Sequence, residues 1–229
     1  MVLRAIQLLF LVIAFLECLT HVIVSIQSWH MFTKPLLMPL LMFLVIVNYV
    51  TKKDMHITRF RGLLVALFFS GVGDVFLLLN QLGFDNCFLI GMAAFFCAHI
   101  AYIYIFTIGS GMGWSNGFIK ERIILVLPFL MLGVLLNWSL WYNMKGLAIP
   151  VLCYTIIIIM MLLSSLNRWG IGQELVYKLS FYGAFLFMLS DMMIAISTFG
   201  YPFPLSSIFI MSTYIIAQYL IVQSVIKQD

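Results

Sequence analysis

The sequence predicts an all-α, polytopic integral membrane protein: an eight-helix transmembrane bundle formed by a single domain over residues 1–229. Three observations carry that reading. Of the 229 residues, 64% are hydrophobic and only 9% charged, against about 25% charged in a typical soluble domain, so water is not the main solvent. Apolar runs of roughly 18 or more residues, enough to cross a bilayer, recur along the whole length. The basic residues, finally, crowd into alternate connections between those runs.

In chain order, span 1 covers about 5–26. It is too long for the apolar region of a secretion signal, contains Glu17 and lacks a small-residue cleavage pattern, so it is expected to stay. Span 2, about 33–50, opens on Lys34-Pro35. A proline suits the first helical turn, where its missing N–H is not needed, and the free amides there, with Lys34, suit an anion. A lysine snorkelling to the interface accounts for the same residue. Pro39, one turn on, is expected to kink or loosen the helix start. Span 3, about 62–80, carries Gly71, Gly73 and Asp74. Span 4, about 87–108, places Gly91, Phe95, His99 and Tyr102 on one helical face. Span 5 covers about 123–141, and span 6, about 146–166, contains Tyr154. Span 7, about 179–199, holds Gly183, Ala184, Ser190 and Asp191, and span 8, about 205–226, holds Tyr214 and Gln218. The glycines either let helices approach closely or leave room for a ligand.

The connections orient the bundle. With eight spans, the N-terminus, the connections after spans 2, 4 and 6, and the C-terminus share one side. That side carries Arg4, Lys52, Lys53, Arg59, Arg61, Lys120, Arg122, Arg168, Lys178 and Lys227, and the other only Lys34 and Lys145. The excess of basic residues marks the cytoplasmic side, so both termini are expected there. The net charge of +4 is then a topology signal, and no basic cluster interleaves with aromatics as a nucleic-acid surface would. Cys18, Cys87, Cys97 and Cys153 form no CxxC pair and read as small buried hydrophobes. The glycosylation pattern Asn137-Trp138-Ser139 falls at a membrane boundary and is expected to be inaccessible.

A rise of about 1.5 Å per residue turns position into depth. Asp74 and Asp191 then lie at nearly the same level, about 18 Å along a core roughly 30 Å thick. His99, Tyr154, Tyr214, Gln218, Glu17 and His21 fall in or near the same layer. Any one of the neutral residues is explained by hydrogen bonds that tie helices together. Two aspartates are not, because each carboxylate costs at least about 2.5 kcal/mol at mid-membrane and Ser, Asn or Gln would tie helices more cheaply. Paired carboxylates fit general acid/base catalysis or, as the alternative, a proton-coupled transporter of a small or lipid-like solute. No inverted repeat or pair of matched broken helices supports the transporter. No HxxxH or HExxH spacing links Glu17, His21 or His99 to the aspartates, and only His21 and His99 of the four histidines fall within spans. No metal or other cofactor is expected.

Taken in order, the sequence reads KP at 34–35, GD at 73–74, GxxxFxxxHxxY at 91–102, Tyr154, GAxLFxxSDxxxA at 183–195 and YxxxQxLI at 214–221. In this order and spacing the chain resembles the YhhN family, the lysoplasmalogenase-like membrane proteins, across six of its eight spans. The resemblance implies hydrolysis of the vinyl ether bond of lysoplasmalogens to a fatty aldehyde and glycerophosphocholine or glycerophosphoethanolamine. It implies Asp74 and Asp191 as the acid/base pair, with Lys34, His99, Tyr154, Tyr214, Gln218 and Ser190 binding substrate or orienting groups. The partners implied are a lysophospholipid, water and the surrounding membrane lipid, with no nucleic acid and no obligatory protein partner. The membrane would be the cytoplasmic one in a bacterium and an endomembrane in a eukaryote. The chemistry needs one protonated and one ionised carboxyl, as paired carboxylates provide at glycosidic bonds. Which aspartate is the acid stays open.

Overall fold

The computed structural model describes residues 1–52, 55–108 and 117–228. Lys53, one of the residues that set the charge asymmetry, lies outside the described residues. The order is α1 (Val2–Thr20), a 3-10 turn (Val24–Trp29), α2 (His30–Lys52), α3 (Ile57–Gln81) and α4 (Cys87–Phe106). After a short helix α5 (Phe118–Glu121) come α6 (Leu127–Met144), α7 (Ala148–Leu166), α8 (Glu174–Phe199) and α9 (Ser206–Ile226). The described residues contain no strand, as a polytopic all-α protein requires.

Seven helical stretches are long and apolar enough to cross a membrane, one of them the 44 residues of Ile123–Leu166. A single helix of that length would span about 66 Å, twice a hydrocarbon core of about 30 Å. The stretch instead doubles back. Lys145 takes a positive φ of 50° at the reversal, and Asn137 Nδ2 on α6 donates to Thr155 Oγ1 on α7 at 2.9 Å. Gly133 of α6 abuts the Ile159 side chain of α7, so the two helices run antiparallel. Eight long helices are thus present among the described residues.

Large apolar side chains cover the outside of the bundle, and most of its membrane-depth polar side chains are turned inside. Phe32, Phe68, Val134, Trp138 and Ile149 are exposed, while Glu17, Ser70, His99, Ser190 and Gln218 are fully buried. Lipid solvates the first set, and protein partners satisfy the second. The cysteines follow the same logic. Only Cys87 is buried, while Cys153 is exposed, because the outer face of such a bundle is as apolar as its interior.

Two hairpins, α3–α4 and α8–α9, make the most extensive contacts, and α9 also touches α1, α2 and α3. Glycine permits both. A Cβ on Gly73 would stand 2.6 Å from the Phe95 ring, and one on Gly183 would stand 3.1 Å from the Ala217 carbonyl. These glycines therefore serve close helix approach and do not hold space for a ligand. Phe95 settles onto the turn that carries Asp74, and the predicted face of α4 is buried from Gly91 through Tyr102.

Span 2 differs from its expected start. The helix begins at His30, so Lys34 and Pro35 sit in its second turn and Pro39 in its third. The two prolines remove the amide partners of the Met31 and Pro35 carbonyls, but α2 continues to Lys52. Lys34 consequently offers its own charge and not a helix start.

Candidate active site

The two aspartates occupy different surroundings. On α8, Asp191 Oδ2 accepts a hydrogen bond from Tyr154 OH of α7 at 2.6 Å. The same oxygen lies 3.5 Å from His99 Nε2 of α4. The other imidazole nitrogen, Nδ1, is 2.5 Å from the Phe95 carbonyl oxygen, one turn back on α4. A carbonyl only accepts, so Nδ1 carries a hydrogen. Nε2 then faces a carboxyl oxygen directly, and His99 is fully buried. One proton, on the imidazole or on the carboxyl, is needed there, because two lone pairs would otherwise oppose each other in a low-dielectric interior.

Asp74, on α3, is 2% exposed and accepts from Tyr214 OH of α9 at 2.8 Å. One turn along the same helices, Tyr102 OH donates to Gln218 Oε1 at 2.5 Å, and Gln218 Nε2 donates to Ser70 Oγ at 3.0 Å. The carboxylate and this three-residue network stack as two polar layers between α3, α4 and α9. Phe187 separates the two aspartate centres, its ring centroid 4.8 Å from His99 and 5.4 Å from Tyr214. Asp191 and Lys34 both lie within electrostatic reach of Asp74.

Access differs as well. Asp191 and Tyr154 line two small apolar cavities of about 50 and 40 Å³. The first lies against Leu77, Phe88 and Phe95, and the second between α6, α7 and α8 beside Leu132 and Gly133. A more polar cleft of about 160 Å³ shares Leu77, Phe88 and Ile194 with the first cavity. Its lining includes Lys34, His21, His30, Ser197, Thr198 and Ser206. Asp191 thus opens onto apolar space, with the polar cleft on the far side of Leu77, Phe88 and Ile194.

Of the residues singled out in the sequence, His99, Tyr154 and Asp191 form one group, Asp74 and Tyr214 a second, and Gln218 sits a turn from the second. Lys34 is only 5% exposed and turned into the polar cleft. Ser190 faces elsewhere: its hydroxyl donates to the Ile210 carbonyl at 3.0 Å and clips α8 to α9. The sequence reading passed over His30, Thr33 and Gln81, which gather with Glu17 and His21 beside the cleft. Starting span 2 at residue 33 had left His30 in a connection. The usable signal was the four-residue spacing of Glu17 and His21, which puts them on one helical face.

The pattern of the YhhN family matches residues 29–225, from the end of the first 3-10 turn to the last turn of α9. The chain is 33% identical over 163 residues to the lysoplasmalogenase TMEM86B of Homo sapiens, a stretch covering 71% of this chain and 62% of that protein. It is 31% identical over 188 residues to the lysoplasmalogenase TMEM86B of Sus scrofa, with coverage of 82% and 72%. Against the lysoplasmalogenase TMEM86A of Bos taurus the identity is 30% over 167 residues, 71% of this chain and 64% of the relative. The chain therefore spans less than two thirds of the human and bovine proteins that it matches. No solved structure matches it. With the family pattern running through seven of the eight long helices and through both aspartates, this chain belongs to the YhhN family.

Proposed function

We propose that this protein is an intramembrane hydrolase that cleaves the vinyl ether bond of lysoplasmalogens, with Asp191 as the acid. The single observation that carries the reading is the position of Asp191, which lines two apolar cavities and shares one proton position with His99. The names of the relatives, all lysoplasmalogenases, supply the substrate class. The reaction balances with one water. Asp191 gives its proton to the β-carbon of the alkenyl ether, the C=C pair forming the new C–H bond, and an oxocarbenium ion results. Water adds to the cationic carbon and loses a proton to a carboxylate, giving a hemiacetal. The hemiacetal breaks its C–O bond to the glycerol, which leaves as an alcohol, and the aldehyde remains.

Each group has a task in this scheme. His99 supplies or retakes the Asp191 proton through Nε2, and Tyr154 orients the accepting oxygen. Asp74, held by Tyr214, stabilises the cation when it is ionised. Lys34 binds the phosphate in the polar cleft. The alkenyl chain leaves through the apolar space between α6 and α8 into lipid, so that only its reacting carbons enter the small cavities. Both termini face the cytoplasm on this reading, and single cysteines placed in the 51–61 and 80–86 connections should label from opposite sides.

The test is incubation of purified protein with a lysoplasmalogen and measurement of released aldehyde. Aldehyde from the alkenyl substrate, and none from a saturated alkyl ether analogue, is the expected result. Turnover of both, or of neither, would count against vinyl ether chemistry.

A further inference from the structure

Beside the cleft, three ligand-type side chains converge on one point, and the aspartate chemistry uses none of them. Glu17 is fully buried in α1. Its Oε1 is 3.3 Å from His21 Nε2, one turn on, and 2.7 Å from His30 Nδ1, at the start of α2. The 3-10 turn Val24–Trp29 folds the chain back to bring His30 there. We propose that Glu17, His21 and His30 hold a divalent transition-metal ion of the zinc class.

The donor atoms of all three residues lie within 4.8 Å of one another. A tetrahedral ion with bonds of about 2.0–2.2 Å sets its ligand atoms about 3.3 Å apart. The His21–Glu17 separation already matches, and His30 needs to withdraw by about half an ångström to do so. The supporting bonds are those of a metal site. Thr33 Oγ1 donates to Glu17 Oε2, which holds the carboxylate and leaves Oε1 to the two histidines. His30 Nε2 lies 3.2 Å from Gln81 Oε1. That oxygen accepts, so Nε2 carries a hydrogen and Nδ1 is the atom turned to Oε1. A proton between them accounts for the 2.7 Å separation, and a metal ion binds there in exchange for that proton. Ligating histidines are commonly held through their other nitrogen in this way.

Two nitrogens and one carboxylate oxygen suit zinc better than calcium or magnesium, which take mainly oxygen. His21 and His30 both line the cleft, so a fourth coordination position opens toward it. Lys34 faces the same space. With the ion bound, the cluster changes from acidic to net positive, and with Lys34 it gives the cleft a charge suited to a phosphate. Glu17 and His21 precede residue 29, where the family match begins, and the phosphate role of the charged cleft rests on the proposed hydrolase function.

The test uses the full chain in detergent, stripped with a chelator and titrated with Co²⁺ and Zn²⁺. One saturable equivalent, visible Co²⁺ absorption of a nitrogen-ligated ion, and a higher Tm with Zn²⁺ are expected. His21→Ala and His30→Ala should each weaken binding at least tenfold, while His56→Ala, an exposed histidine at the other end of α3, should not. Gln81→Ala removes no ligand, only the acceptor that orients His30, and should weaken binding about tenfold, which keeps the test open if the ligand variants fold poorly. Absence of saturable Co²⁺ absorption in stripped wild-type protein would overturn the proposal. So would binding that survives replacement of both histidines.

Discussion

Asp74 and Asp191 are the same residue type, each in an outward-running helix by the sequence reading, each accepting from one tyrosine hydroxyl. They differ in what else they meet. Asp191 has a histidine and open space, whereas Asp74 has Phe95 packed on its own turn through Gly73 and a closed polar network one turn away. The difference teaches that a carboxylate's role inside a membrane follows from access and proton partners, and not from depth alone. A group that must deliver a proton to carbon needs contact with substrate and a way to be reloaded. A group that only stabilises charge can be sealed in, where low dielectric strengthens its effect.

The largest effect expected from this comparison is that of Asp191→Asn, which removes the proposed proton donor and should lower kcat by roughly 10³-fold, within the span usual for general acids. Asp74→Asn keeps a polar partner for Tyr214 but removes the charge, and a loss of roughly 10²-fold is expected. The two variants should also differ in kind. Residual turnover of the Asp74 variant should keep the wild-type pH profile, and that of the Asp191 variant should fall steadily as pH rises, because hydronium then supplies the proton. Equal pH profiles would erase the distinction between the two centres.

The tyrosines sharpen the same contrast at a smaller scale. Tyr154→Phe should lower kcat about tenfold, equivalent to about 1.4 kcal/mol, with little change in Tm, since Tyr154 is half-buried beside a cavity. Tyr214→Phe should act mainly on stability. It leaves Asp74 buried without its donor, at a cost of about 1–3 kcal/mol, and thermal unfolding in detergent is the measurement. A reversed pattern, with Tyr214→Phe stable and inactive, would move the chemistry to Asp74.

Much of this was legible in the chain. Charge placement and run lengths reveal the helical membrane class, and shared depth picks out Asp74, Asp191, His99, Tyr154 and Tyr214, because a helix converts sequence position into height. Height says nothing of azimuth. Whether His99 would meet Asp191 or Asp74 depends on helix rotation, which close packing at Gly73 and Gly183 sets and periodicity leaves free. Ser190 was misleading for the same reason: adjacent to Asp191 in sequence, it points to the Ile210 carbonyl of α9. His30 was lost because helix starts are the least certain boundaries. Three residues of error moved it out of the helix whose first turn it forms.

The smallest effect on kcat is expected of Lys34→Ala, and it tests whether the polar cleft belongs with the apolar cavities. Lys34 lies in the second turn of α2 and lines the cleft, while the reacting carbons are proposed at Asp191, across Leu77, Phe88 and Ile194. A phosphate held there is held equally before and during proton transfer, so its loss should raise KM about tenfold and leave kcat nearly unchanged. Lys34 is also within electrostatic reach of Asp74, which gives the prediction its edge. If the lysine acts through that carboxylate and not on the phosphate, kcat falls and KM holds. The mouth and the chemistry would then form one electrostatic unit. The Lys34→Arg variant separates these cases further, because a guanidinium retains phosphate binding but is bulkier and more rigid beside Asp74. Near-normal KM in the arginine variant, with KM raised in the alanine one, assigns the residue to the head group.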